Sequence, residues 1–177
     1  DYVMRIRLFI LFLCFVSCSI QALQVIIVMG PSCAGKSTLS KYLCDQLNTQ
    51  NEKWEKIDFD DVEENIERLI AVTNDYLQQN SNVIIDTNTY ENGLENRING
   101  AVTITKIIVI APLEVLLQRD KRRTEFFNRN ADRALRCRDF VIDSFNRSLT
   151  WIGDLIIDSS CQSVQVSCEI ILDFLKL

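Results

Sequence analysis

The sequence predicts an α/β fold built on a parallel sheet. Three observations predict it. Residues 24–29 form a wholly strand-length, largely apolar run, a glycine-containing loop follows at once, and strand-length runs then alternate with segments of helical period to the end of the chain.

Each element has its own signal. The run at 24–29 lacks the polar alternation of a half-exposed strand, which marks a central parallel strand. Leu39, Leu43 and Leu47 recur at helical spacing and predict a helix over 37–47. Residues 54–58 read as a second, short strand. Val62, Ile66, Leu69, Ile70 and Leu77 predict a helix over 62–77. The triplet 83–85 is a buried strand that ends in Asp86, and 103–110 is another, rich in β-branched residues. Pro112 stands where a helix begins, with Leu113, Leu116 and Leu117 as its core face. Within 121–138 lie Lys121, Arg122, Arg123, Arg129, Arg133, Arg136 and Arg138, and the helical pattern continues through Phe140, Val141, Phe145 and Leu149. A last strand at 155–157 and a last helix at 164–175 complete the pattern. Five glycines, two prolines and no internal repeat leave no flexible linker between domains.

Composition narrows the chemistry. The 177 residues are 47% apolar, enough for one core, and carry a net charge of −5. That charge argues against broad coating of nucleic acid but leaves room for a local basic pocket. No histidine occurs, which removes Ser-His-Asp triads, histidine bases and histidine metal sites. Acid–base work falls to Asp, Glu, Lys, Tyr or Cys. The cysteines are Cys14, Cys18, Cys33, Cys44, Cys137, Cys161 and Cys168, with no CxxC pair, so no metal cluster is expected and the five beyond the leader read as buried free thiols.

Residues 1–22 look like a leader, and 23–177 like the folded domain. Arg5 and Arg7 precede an apolar run from Leu8 to Val16, and the small residue Ala22 follows, as in a secretory signal peptide or membrane anchor. The leader therefore suggests export or membrane association. Deleting 1–22 is expected to leave folding intact.

The strongest signal is Gly30-Pro31-Ser32-Cys33-Ala34-Gly35-Lys36-Ser37, which fits G-x-x-x-x-G-K-[ST] between a predicted strand and a predicted helix. Gly30 and Gly35 let the backbone turn and aim N–H groups at phosphate oxygens, and the helix adds its positive N-terminal end. Lys36 reaches the β- and γ-phosphates, and the Ser37 hydroxyl ligates Mg²⁺. Residues 30–38, through Thr38, are thus the expected cradle for Mg·ATP, and use of ATP suggests the cytoplasm where the leader suggests export. No Asn-Lys-x-Asp or Asp-x-x-Gly motif supports a GTPase, and the chain is short for a typical AAA or transporter ATPase domain.

Acids and arginines cluster around this loop in the order a phosphoryl transferase needs. Asp58, Asp60 and Asp61 stand where the second strand ends, on the ligand-binding edge of a parallel sheet. One carboxylate there can take the proton of an attacking hydroxyl, and another can cap the helix from Val62. If the strand persists, Asp58 and Asp60 share a face. Asp86 is placed like a Walker-B acid that holds Mg²⁺ directly or through water, with Thr87 and Asn88 continuing into the same edge. Arg119, Arg122 and Arg123 can stabilise the charge of the moving phosphoryl group, or can be a solvated basic face at a helix end.

Together these segments resemble the P-loop kinase superfamily, and within it the group of polynucleotide kinases, zeta toxins and chloramphenicol phosphotransferases. The resemblance rests on the Walker A loop, on Asp58-Phe59-Asp60-Asp61, on Val83-Ile84-Ile85-Asp86-Thr87-Asn88 and on Leu116-Leu117-Gln118-Arg119-Asp120-Lys121-Arg122-Arg123. Asp154-Leu155-Ile156-Ile157-Asp158-Ser159 resembles the group's last strand. It implies a P-loop NTPase fold whose five-stranded parallel sheet is sandwiched by helices, with the loop strand central and a helical lid. It implies Asp60 as base, Arg119 near the adenine or phosphates, Arg122 and Arg123 in the lid, and the loop at Ser159 and Ser160 near the base.

Three functions fit. The first is a kinase that uses ATP and Mg²⁺ to phosphorylate a hydroxyl of a small molecule or nucleoside, with Lys36, Asp60, Arg122 and Arg123 catalytic and Asp58 and Asn88 on the acceptor. The second is a polynucleotide 5′-hydroxyl kinase, which the acidic charge disfavours. The third is an ATP-binding regulator that hydrolyses slowly or not at all. An open acceptor space beside Asp60 favours the first two, and a filled one the third.

Overall fold

The computed structural model describes residues 22–49, 52–89, 94–100 and 102–176. The leader expected over 1–22 lies outside the described residues except for Ala22. Among the described residues no helix is long and apolar enough to cross a membrane.

Five parallel strands form one sheet: β1 (Leu23–Met29), β2 (Trp54–Asp58), β3 (Asn82–Thr87), β4 (Val102–Ile110) and β5 (Leu155–Asp158), in the order β2-β3-β1-β4-β5. The loop strand is central, because it is the one whose every residue from Val25 to Met29 is fully buried. The helices are α1 (Lys36–Asn48), α2 (Ile66–Gln78), α3 (Leu113–Phe126), α4 (Ala131–Ser148) and α5 (Val164–Leu175).

The period of two along β1 divides the apolar interior into two cores. Ile26 and Val28 face one side, with Leu39, Leu43 and Leu47 of α1, Leu116 of α3, Val141 of α4 and Ile171 of α5. Val25 and Ile27 face the other, with Leu69, Ile70 and Leu77 of α2 and with Phe59 and Val62. The fold is an α/β P-loop NTPase fold.

Two helix expectations need correction. The helix predicted from Val62 begins at Ile66. A 3-10 turn spans Asp60–Val62, and Glu63 and Glu64 then take left-handed φ values of 58° and 53°. Asn65 is the cap, its side chain accepting from the Arg68 N–H, so none of the preceding aspartates caps this helix. Val62 misled the reading because it is a core residue of the turn and happens to fall in helical phase with Ile66 and Leu69. The basic segment is likewise two helices. The chain turns through Asn128 at φ 47°, and Asn130 caps α4 by accepting from the Arg133 N–H. The buried-thiol expectation holds for Cys33, Cys44 and Cys168 but not for exposed Cys161 or half-buried Cys137.

Candidate active site

The site forms where the C-terminal ends of β1, β2 and β3 meet. Parallel register sets Asp58 beside Asp86, and Asp86 beside Val28 at the end of the loop strand. The Phe59 N–H donates to the Asp86 carbonyl at 2.9 Å and fixes the chain as it leaves β2.

Gly30 begins the loop pressed against β4. A Cβ there would lie 2.1 Å from the Val109 carbonyl oxygen, so only glycine passes. Gly30→Ala should therefore lower stability by on the order of 1–3 kcal/mol. Thermal unfolding that gives the variant the wild-type Tm would show that the loop can leave the sheet by another path.

Cys33 at φ 66° and Gly35 at φ 96° bend the loop twice into left-handed conformation, which turns successive N–H groups inward. Nothing lies within 4 Å of a Cβ built at Gly35, so the cradle is open above it. Lys36 opens α1 and is only 8% exposed, its Nζ donating to the Pro31 carbonyl at 3.1 Å. Among the described residues no carboxylate lies within 4 Å of that ammonium. Burial pushes its pKa below the ordinary lysine value, with the charges of Asp86, Cys33, Asp60 and Asp58 pulling the other way.

Lys36, Ser37, Asp58, Asp60, Asp86 and Asn88 share one small cavity of about 40 Å³. Asp86 is 2% exposed and accepts from the Ser40 hydroxyl at 3.3 Å. Burial raises its carboxyl above the usual range, opposed by the hydroxyl of Ser37 and the charge of Lys36. Asp60 lies at the exposed rim, yet partial burial raises its carboxyl as well, and the charges of Asp58 and Glu64 add to this. Asp58 and Asp60 do not share a strand face, because β2 stops at Asp58. Instead the Asp60 N–H donates to Asp58 Oδ1 at 3.2 Å.

The other predicted residues lie on the opposite flank of the loop. Gly35, Thr38, Arg119, Arg122 and Arg123 line a cavity of about 420 Å³ that also reaches Ser159 and Val164. Arg119 is a brace for the loop. Its Nη1 donates to the Cys33 and Ala34 carbonyls at 3.2 and 3.3 Å and to Ser159 Oγ at 2.9 Å, and its Nη2 donates to the Ser159 carbonyl at 2.7 Å. Arg123 Nη1 approaches the Cys33 sulfur at 3.7 Å. Ser32 presents its N–H to Ser144 Oγ of α4 at 3.0 Å.

Sequence reasoning missed three participants. Lys56 lies 3.3 Å from Asp58 and 3.9 Å from Asp86, and its place two residues before Asp58 on one strand face was an available signal. Asp120 pairs with Arg129 at 2.9 Å across the α3–α4 joint. Ser144 gives no signal, because its partner is 112 residues away.

The residues of this site could hold Mg·ATP. An open loop carries a buried ammonium that has, among the described residues, no carboxylate within 4 Å, and the hard oxygens of Ser37 and Asp86 border one cavity beside it.

A family model described as ABC transporter matches residues 13–149. No curated protein matches the sequence. Among solved structures, the chain is similar to an APS kinase, CysC, of Mycobacterium tuberculosis in complex with AMPPNP and APS, at 13% identity and TM-score 0.65, covering 88% of this chain and 99% of that one. It is also similar to an unliganded sugar kinase from Janibacter sp., at 17% identity and TM-score 0.63 over 87% and 95% of the two chains. A shikimate kinase from Bacteroides thetaiotaomicron aligns at 17% identity and TM-score 0.52 over 88% and 100%. At these identities the likeness establishes the fold. The family match corrects the length argument against a transporter ATPase domain, since the P-loop core fits within 137 matched residues.

Proposed function

Because this chain belongs to the family described as ABC transporter, nucleotide chemistry at its phosphate loop is the premise, and we propose that it is a kinase that moves the γ-phosphoryl group of ATP to a hydroxyl of a small molecule. The observation that carries this reading is Lys36, a buried ammonium that donates to the neutral Pro31 carbonyl and has, among the described residues, no carboxylate within 4 Å. A buried charge is costly unless it is compensated, and phosphate oxygens in the open cradle would compensate it. The finer likeness to polynucleotide kinases, zeta toxins and chloramphenicol phosphotransferases belongs to the same proposal and rests on the motif order alone.

In the proposed step the acceptor oxygen forms a bond to the γ-phosphorus while the bond from that phosphorus to the β–γ bridging oxygen breaks. ADP leaves with the bridging oxygen. The hydroxyl proton passes to the Asp60 carboxylate and from there to water. Ser37 and Asp86 would hold Mg²⁺, which when bound neutralises charge on the phosphates. Asn88 and Asp58 border the same small cavity and orient the acceptor hydroxyl. Transfer of labelled phosphate from ATP to a panel of hydroxyl acceptors, with oligonucleotides included and water as baseline, tests the reading. Transfer to water alone would overturn it.

Arg122 and Arg123 border the wider cavity from α3, where guanidinium forks can follow charge onto the moving phosphoryl group. Replacing both with alanine should lower kcat more than it raises KM for ATP. The opposite pattern in steady-state kinetics would make them ground-state binders.

Asp60 works as a base only when ionised, and its pKa is raised, so activity should fall with falling pH at a higher pH than an ordinary aspartate would give. Asp58→Asn removes one of the charges that raise it, while Asn Oδ1 can still accept the Asp60 N–H. The acid limb of kcat/KM should therefore move to lower pH in that variant. A limb that stays in place would detach the profile from Asp60.

The narrow space beside Asp60 favours a second reading, an ATP binder that hydrolyses slowly. A cavity of about 40 Å³ takes water but not the body of an acceptor. The water baseline of the transfer assay separates the two readings.

A further inference from the structure

The small cavity bordered by Lys36, Asp58, Asp86 and Asn88 takes a hydroxyl group but not the body of an acceptor, which must lie outside it, past Asp60 at the exposed rim, and needs another anchor. A cavity of about 490 Å³ opens at the other end of the loop, at Ser32 and Cys33, between α3 and α4. Its wall carries Arg123, Arg129, Arg133 and Arg136, against one carboxylate, Asp120. Asp120 is committed to Arg129, with side chains 8% and 15% exposed. Among the described residues, Arg123, Arg133 and Arg136 have no carboxylate within 4 Å. In a chain of net charge −5, three uncompensated guanidiniums thus face one volume.

Their placement is a consequence of helical spacing. Arg133, Arg136, Cys137 and Phe140 fall on one stripe of α4 and all border the cavity. Phe140 and Cys137 supply an apolar side for an organic body, and the arginines supply forks for an oxyanion. The nucleotide's own phosphates are served elsewhere. On this flank the Ser32 N–H is already committed to Ser144 Oγ, whereas the open cradle is at Gly35 and Lys36. Arg123 borders both this cavity and the cavity of about 420 Å³ on the other flank of the loop, and the loop itself, through Ser32 and Cys33 here and Lys36 and Ser37 beside Asp60, joins the anchor to the transfer site.

We propose that this cavity anchors the acceptor, and that the acceptor is a small phosphate or sulfate monoester with a free hydroxyl. The inference rests on the kinase reading. A phosphate monoester carries a charge of about −2 near neutral pH, which the three free guanidiniums more than balance.

Two titrations of the full chain judge it. Mg·AMP-PNP is titrated first, and inorganic phosphate, sulfate or acetate is then titrated into the nucleotide-saturated protein. Phosphate and sulfate should bind the wild type better than acetate. The double variant R133Q/R136Q should lose phosphate affinity by at least about tenfold with AMP-PNP affinity unchanged. Both side chains are exposed, so an unchanged melting temperature is expected and confirms an intact fold. Wild type that fails to take up phosphate would overturn the inference and leave nucleotide binding standing. A variant that weakens AMP-PNP as much as phosphate would assign the arginines to ATP and overturn it too. A single-stranded oligonucleotide that binds far more tightly than phosphate, with a steep salt dependence, would replace the small acceptor with a nucleic acid end. Failure of AMP-PNP to bind wild type would sink the kinase reading, and with it the acceptor role. Phosphate titrated into the nucleotide-free chain would still decide whether the anion site exists.

Discussion

Lys36→Ala should weaken Mg·ATP binding by about 10²–10³-fold without making the chain less stable. The two effects have different origins. Binding loses charge-assisted hydrogen bonds to phosphate oxygens, each worth about 1.5–3 kcal/mol. Stability loses the stem's packing, the 3.1 Å bond to the Pro31 carbonyl and the attraction of Asp86, Asp60 and Asp58, and gains relief from burying an ammonium that has, among the described residues, no carboxylate within 4 Å. The same penalty lowers the pKa of Lys36, with burial its largest cause. Calorimetry reads the first effect and thermal unfolding the second. Equal ATP affinity in wild type and variant would remove the phosphate loop from nucleotide binding. A large drop in Tm would make Lys36 a structural residue.

Asp60→Asn should cut phosphoryl transfer by about 10²–10⁴-fold while ATP affinity and Tm hardly change. A hydroxyl is a poor nucleophile, and the chain has no histidine to take its proton. Asp60 sits in the 3-10 turn directly after β2, with its backbone held by Asp58 Oδ1. Asparagine preserves that bond, because the donor is the main-chain N–H. It also leaves α2 untouched, since Asn65 is the cap of that helix. A loose transition state, in which little proton transfer has occurred, would put the loss at the low end of the range. Single-turnover transfer at the wild-type rate would instead direct the search for a base to Asp58 and Asp86.

The parts of this molecule that were legible in its sequence are those whose cause is local. Residues 24–29 announce a central strand because burial on both faces leaves no room for polar alternation. The phosphate loop announces itself because each of its residues has a chemical duty at fixed spacing. Asp58 and Asp86 could be placed on one edge because parallel strands deliver their ends together. Reading failed where periodicity met a turn. Val62 continues the phase of α2 but belongs to the turn before it, and the Glu63–Glu64 pair in left-handed conformation carries no glycine to betray it. The α3–α4 joint has neither proline nor glycine, and only Asn128 and Asn130 mark it. The bracing role of Arg119 and the contact of Ser144 with the loop are products of tertiary packing between distant segments, and no local pattern encodes them.

The central position of β1 also governs how the chain must be assembled. Its neighbours in the sheet are β3 and β4, and both are made after it. A ribosome adding about 5–20 residues each second completes Leu23–Met29 several seconds before Ile110 exists. For that interval a strand destined to be buried from Val25 to Met29 has exposed edges and exposed apolar faces. Contacts this distant in sequence form slowly, since loop closure must precede any reward from pairing. The strand that carries the phosphate loop is therefore the segment of the nascent chain most open to wrong partners, and its protection depends on the speed with which β3 and β4 arrive.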